Sequence, residues 1–468
     1  MLFSNDVIAA VATAWGDAAI AIVRLSGPGS VELADKCFRG ARPLSREPAR
    51  RMALGNIVDA SGLSSREERI IDQVLAVRFT RGASYTGEES VEVQCHGGVA
   101  AAQACMDIFL RSGARMAMPG EFTKRAFLSG RIDLTQAEAV LGVIRSRSDA
   151  ELDSSARSLQ GELSDALRNL SREINSALAG MEVRMDYPEE VEDSEWDDSA
   201  AKLSVIRRHV SALLERCRIG LVLKNGAGVA IVGRPNVGKS SLLNSLSGED
   251  RAIVTDIPGT TRDTLDVSII HRGIFIKLID TAGMRYPGDS SGSAGVIESM
   301  GIERSQAAIA GADICALVVD SSAPLTDADF ETASALRNKR ALLVANKSDL
   351  PGAISDEDLA LLGSFETVLR VSALTGEGVG MIKDAIFDIV VGDASLSEGV
   401  FASERMISAL IEADACIAEA ESALVSFRSM DAAGSLLAEA SEHIASPLGL
   451  DATEELLDEI FKNYCVGK

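Results

Sequence analysis

The residues with the clearest chemistry are Gly233-Arg234-Pro235-Asn236-Val237-Gly238-Lys239-Ser240, followed by Ser241. The spacing is G-x-x-x-x-G-K-S, between an apolar run and a helical one. Paired glycines let a backbone wrap a phosphate. Loop amides and the following helix N-terminus supply positive potential. The lysine can reach the β- and γ-phosphates of a nucleotide, and the serine hydroxyl can hold Mg²⁺.

Four more segments follow in order. Thr260-Thr261-Arg262-Asp263 offers a hydroxyl, assigned to Thr261, for the Mg²⁺ shell. Asp280-Thr281-Ala282-Gly283 ends an apolar run with a carboxylate near the metal and a glycine beside the γ-phosphate. Asn346-Lys347-Ser348-Asp349 ends another run, and its Asp349 can accept both N–H groups of a guanine edge. Ser372-Ala373-Leu374 suits the last base-contact loop. Adenine cannot satisfy Asp349, so the expected nucleotide is GTP. Met284 follows the Asp280 segment, where Ras-like GTPases carry a water-orienting Gln. The attacking water must be positioned by another group.

These loops need a scaffold. Short apolar runs at 228–232, 275–279, 314–319, 341–345 and 368–371 read as buried parallel strands with helices between them. They imply a doubly wound α/β domain over 225–392. Before it, 19–25, 74–79 and 91–95 read as strands and 99–110 as a helix, a mixed α/β domain over 1–119. Residues 120–224 and 393–468 are helical. Leu152, Leu159, Leu163, Leu167, Leu170, Ile174 and Leu178 recur at helical spacing, and the acidic stretch 186–198 reads as a loop before a helix over 200–223. The expected fold is therefore multidomain, α/β plus all-α, with a Ras-like P-loop domain interrupting a helical one.

The chain has 468 residues and a formal net charge of −23. The first 120 residues are neutral, and the last 76 carry −11. Such acidity excludes a protein that coats nucleic acid, because bulk phosphate binding runs on Lys and Arg. Seven scattered Cys, none in a C-x-x-C pair, fit a reduced cytoplasmic chain rather than a zinc or disulfide scaffold. No apolar run is long enough to span a membrane, and the N-terminus lacks the basic region of a secretory signal.

With these motifs in order on an interrupted helical scaffold, the sequence resembles the MnmE (TrmE) family of tRNA-modifying GTPases over essentially its whole length. Further motifs carry the resemblance: Ile22-Val23-Arg24-Leu25-Ser26-Gly27, Tyr85-Thr86-Gly87-Glu88, His96-Gly97-Gly98, Pro119 to Leu128, Asp133 to Ala139, and Cys465-Val466-Gly467-Lys468. The resemblance implies an N-terminal domain that binds 5-formyl-tetrahydrofolate and forms a homodimer. It implies a helical domain built from two chain segments, and an inserted GTPase domain. It also implies an FAD-dependent MnmG (GidA)-like partner, with which the wobble uridine of tRNA receives a C5 aminomethyl or carboxymethylaminomethyl group.

The resemblance extends to residues. Asn236, with Thr255, Ile257 and Thr260 in the loop Thr255-Asp256-Ile257-Pro258-Gly259-Thr260, matches a K⁺ site. A monovalent cation there takes over part of an arginine finger's charge stabilisation. Glu298 matches the catalytic Glu that orients water, and here it follows a Gly/Ser-rich stretch, 286–296, that looks longer than usual. Arg24, Glu92, Arg131 and Lys468 fall on folate positions, with Arg131 standing where the family usually has Lys. Cys465 matches a cysteine tied to tRNA modification. His96 reads as a structural turn residue. The alternative from another class is a GTP-switched ribosome-assembly factor, which would need a Lys/Arg-rich RNA-binding appendage that this sequence does not show.

Overall fold

A computed structural model describes residues 6–59, 68–186, 193–248, 267–280, 308–392, 395–450 and 452–467. The chain divides into two units, each assembled from separated segments: 1–141, 164–187 and 434–468 in the first, 142–163 and 188–433 in the second. Among the described residues no helix is long and apolar enough to cross a membrane.

The strands of the first unit are β1 (Ile8–Val11), β2 (Ile20–Ser26), β3 (Phe38–Gly40), β4 (Ala53–Asp59), β5 (Arg69–Phe79), β6 (Ser90–His96) and β7 (Arg115–Met116). They form one sheet in the order β3-β4-β5-β6-β2-β1-β7, antiparallel except for the β1–β7 pair. The helices, in chain order, are α1 (Ser30–Cys37), α2 (Val99–Arg111), α3 (Glu121–Leu128), α4 (Leu134–Arg145), α5 (Asp149–Leu159), α6 (Glu162–Asp186) and α7 (Asp193–Asn225). They continue with α8 (Lys239–Ser247), α9 (Asp327–Ala335), α10 (Asp356–Ala360), α11 (Val379–Val391), α12 (Glu404–Phe427), α13 (Met430–Ala445) and α14 (Glu454–Phe461).

In the first unit α1 and α2 pack on one sheet face, burying Val23, Leu25, Val91, Val93 and Phe109. Each such side chain stabilises the fold by about 1.5–3 kcal/mol. On the other face Leu54 is paired with Leu75, and both are exposed, as are Ile20 and Ile70. The C-terminal segment returns here: Phe461 and Tyr464 pack with Leu134 and Ala137, and the Tyr464 hydroxyl donates to Ala137 O at 2.8 Å.

The strands of the second unit are β8 (Ala227–Val232), β9 (Val267–His271), β10 (Ile274–Asp280), β11 (Ile314–Asp320), β12 (Arg340–Asn346) and β13 (Thr367–Arg370). Their order is β13-β12-β11-β8-β10-β9, parallel except that β9 runs antiparallel to β10. Every residue of β11 is buried, as expected of a central strand covered on both faces. Alongside this sheet α12 packs on α7, with Arg207 Nε 3.3 Å from Asp414.

The fold class is the expected one, α/β units with helices contributed by separated segments. Local boundaries differ. The helical residues from 121 are not continuous but form α3 to α6, broken at 129–133, 146–148 and 160–161. Ser148 ends one break by capping α5, its hydroxyl accepting from Glu151 N at 3.2 Å. The acidic stretch read as a loop also needs correction, because α7 already starts at Asp193. Carboxylates in a first helical turn are stabilised by the helix dipole, so this run begins the helix.

Candidate functional site

The nucleotide motifs converge because the sheet is parallel. The P-loop follows β8, Asp280 ends the neighbouring β10 in register with Ile231, Asn346 ends β12, and Ser372 and Ala373 follow β13. All lie at the carboxyl ends of strands, where open α/β sheets bind ligands.

The P-loop is shaped by unusual backbone. Gly238 caps α8 with φ +98, and a Cβ there would sit 2.3 Å from Asn346 Nδ2. Asn236, a non-glycine, holds φ 66, a left-handed conformation that asparagine tolerates better than most residues. Lys239 is buried, and its ammonium donates to Gly233 O at 2.7 Å and Arg234 O at 2.8 Å. It is therefore held at the loop carbonyls. Ser240 and Ser241 lie exposed on the first turn of α8.

Asn346 ties the site together. It is 2% exposed. Its Nδ2 donates to Val237 O in the P-loop, and its Oδ1 accepts from Ala373 N, both at 2.9 Å. One side chain thus joins the phosphate loop to the base loop. Ser372 Oγ donates to Asp349 Oδ1 at 2.6 Å, which orients the exposed carboxylate expected to read guanine.

Sequence reasoning missed two partners. Lys347, with φ 67, places its ammonium 2.5 Å from Asp320 at the end of β11. Burial alone would push the Asp320 carboxyl up, but hydrogen bonds from Lys347 and Ser322 outweigh it and hold the group below the usual range. Arg234 pairs with the buried Asp329 of α9 at 3.5 Å. An Asp ending an apolar strand, as Asp280 does, was the available signal for Asp320. The link from Arg234 to Asp329 crosses about a hundred residues and leaves no local pattern.

Several expected residues lie outside the described residues: Thr255, Asp256, Ile257, Pro258, Gly259, Thr260, Thr261, Thr281, Ala282, Gly283, Met284, Glu298, the 286–296 stretch and Lys468.

In the first unit Arg24 and Glu92 are direct cross-strand partners on β2 and β6, with Nε to Oε1 at 2.9 Å. The Arg24 guanidinium lies over Tyr85 and Phe122 and donates to Gly467 O at 3.4 Å. The structure therefore brings Arg24, Glu92 and the C-terminal tail together. Arg131 donates to Gly82 O at 3.5 Å and lines an open cavity of about 750 Å³ with Arg81, Glu88 and Glu89. Cys465 is exposed, and its carbonyl accepts from Gly120 N at 3.4 Å. His96 Nδ1 meets Asp72 Oδ1 at 2.7 Å beside the Gly97-Gly98 turn, a structural pairing.

Known proteins match the chain throughout. Residues 7–131 match the model of the GTP-binding protein TrmE N-terminus, and 134–465 that of the MnmE helical domain. A tRNA modification GTPase MnmE of Clostridioides difficile is 37% identical over 477 residues, covering all of both chains. One of Thermotoga petrophila is 40% identical over 465 residues, covering 99% of this chain and all of the other. Among solved structures, the G domain of the T. maritima FeoB iron transporter is 29% identical, covering 35% of this chain and 97% of that one with a TM-score of 0.26. Full-length relatives at this identity, together with a nucleotide site built as above, make the chain a member of the MnmE family of tRNA modification GTPases.

Proposed function

We propose that this protein is a K⁺-stimulated GTP hydrolase that modifies the wobble uridine of certain tRNAs together with an FAD-dependent MnmG-like partner. The observation that carries the nucleotide reading is the double hydrogen bond of Asn346, which links the P-loop to the base-contact loop. Asp349 reads guanine, Lys239 neutralises phosphate charge, and Ser240 with Thr261 holds Mg²⁺. When bound, Mg²⁺ offsets charge on the β- and γ-phosphates. The donor types suit it, since the two hydroxyls and the carboxylate of Asp280 are the oxygen ligands that Mg²⁺ takes.

The left-handed Asn236 supports a role beyond loop shape, since strained residues cluster where a ligand is held. It is assigned to K⁺ with Thr255, Ile257 and Thr260. Glu298 is assigned the attacking water, since Met284 cannot orient it.

For the folate, Glu92 is suited to the donor edge of a pterin, and Arg24, Arg131 and Lys468 to its carboxylates. Arg24, paired with Glu92 and lying over Tyr85 and Phe122, supports that site. The exposed apolar sheet face around Ile20, Leu54, Ile70 and Leu75 supports a homodimer through this unit. The proposed domains are 1–119, 120–224 with 393–468, and 225–392, in a cytoplasmic protein. Cys465 is assigned to the modification chemistry.

The test is mass spectrometry of wobble uridines in tRNA from cells lacking the protein. The C5 substituent should disappear, and unchanged nucleosides would overturn the assignment. Turnover of GTP in KCl against NaCl tests the cation separately, and equal rates would remove K⁺ from the mechanism.

A further inference from the structure

The β9–β10 hairpin adjoins two of the nucleotide segments in sequence. β9 begins shortly after Thr260-Thr261-Arg262-Asp263, and β10 ends in Asp280. Its turn, Arg272-Gly273, lies at the opposite end, roughly 20 Å away at the usual rise per residue.

That turn is held from two sides. The Ser148 hydroxyl donates to Gly273 O at 2.6 Å and also accepts from Glu151 N at 3.2 Å, where it caps α5. One hydroxyl thus joins the first turn of α5 to the turn of the hairpin. Gly273 has φ +87, and a Cβ there would fall 2.9 Å from Ala150 Cβ, so the approach is close. The Arg147 guanidinium lies 4.0 Å from the centre of the Phe275 ring and also donates to Lys224 O near the end of α7. The buried Glu151 carboxylate accepts from Arg147 N at 2.8 Å. On the other side His271 and Arg272 meet Asp384 of α11 at 2.9 and 3.3 Å.

We propose that Arg147 and Ser148 are positioning residues that couple the nucleotide state of the P-loop to helix α5 through the β9–β10 hairpin. A shift of the β10 end on nucleotide binding moves the short ladder that runs from Leu278–Val267 to Ile274–His271, and the far turn carries that movement to the α5 cap. The hydroxyl and the guanidinium act on α5 and α7 at once, whereas the Asp384 contacts hold the hairpin to its own sheet layer. The inference rests on the GTP reading.

The test is amide hydrogen exchange of the full-length protein with and without a non-hydrolysable GTP analogue. In the wild type the analogue should change exchange in 149–159 by about fivefold or more, the scale of an ordinary coupling free energy. In Ser148→Ala, and in Arg147→Ala, that response should fall below about twofold while the P-loop response over 233–241 persists. Ser148→Thr and Arg147→Lys, which keep the hydroxyl and the charge, should restore it. An undiminished α5 response in both alanine variants, or no α5 response in the wild type, overturns the coupling. A wild type whose P-loop does not respond overturns the GTP reading, and this inference with it.

Discussion

Ser372 donates its hydroxyl hydrogen to Asp349 Oδ1 at 2.6 Å, so the 372–374 loop orients the carboxylate proposed to select the base. An aspartate held this way can accept two N–H groups from guanine, each charge-assisted bond worth about 1.5–3 kcal/mol. Asp349→Asn should weaken GTP binding by about 100-fold or more while improving binding of xanthosine triphosphate, whose 2-oxo group suits an amide donor. Titration with both nucleotides checks this. Unchanged GTP affinity would remove Asp349 from base selection.

Gly238→Ala should be more damaging than its size suggests. The new methyl meets Asn346 Nδ2 at 2.3 Å, and the backbone sits at φ +98. The conformation alone costs about 1–2 kcal/mol. Displacing Asn346 would also break the bridge between the P-loop and Ala373. GTP affinity should fall by about tenfold or more, with a lower melting temperature. Calorimetry and a thermal melt report the two effects separately.

In the first unit Glu92→Gln keeps the shape of β6 but removes the charge facing Arg24. The fold should persist, since the pair is partly exposed, while affinity for 5-formyl-tetrahydrofolate drops by about tenfold or more. Equilibrium dialysis with the folate is the measurement, and wild-type affinity would exclude Glu92 from the site.

The Asp320–Lys347 pair sets a pH dependence. The folded carboxyl is held below its ordinary value of 3.8. Folding therefore favours its charged form, and the stability it contributes is present above that value and lost as pH falls through the folded one. Asp320→Asn should be less stable than wild type at neutral pH, and the gap should narrow as pH falls below the ordinary value of 3.8. Melting curves across that drop in pH decide it; a constant gap would show that charge is not the cause.

The −23 net charge predicts weak tRNA binding by the isolated protein. Its affinity should fall gently with salt, with a slope matching fewer than about three phosphate contacts, and an MnmG-like partner should steepen it. A steep slope for the chain alone would place the basic surface here.

The P-loop was legible because its glycines and lysine answer to local geometry that few other sequences satisfy. Asp280 and Asn346 were legible because each ends an apolar strand. The strand Ile8–Val11 was not, since Ile-Ala-Ala-Val reads equally well as helix, and only pairing with β2 decides it. The start of α7 was hidden because an acidic run looks like a solvated loop until the helix dipole is counted. The joins from Arg234 to Asp329 and from Ser148 to Gly273 were invisible for another reason: both are made by packing, and neither leaves a spacing to read.

Asn236 and Lys347 stand at φ 66 and 67, one in the P-loop that Asn346 bonds and one directly after Asn346 itself. Glycine would adopt either conformation without strain, at a modest entropic cost in the unfolded chain. A population of variants selected for folding alone is therefore free to drift to glycine at Asn236, whereas Lys347 is also held by its pairing with Asp320. One selected for nucleotide turnover should keep Asn236, because the amide proposed to hold K⁺ would be lost. Sequencing the Asn236 codon after each regime would show which pressure a lineage had experienced.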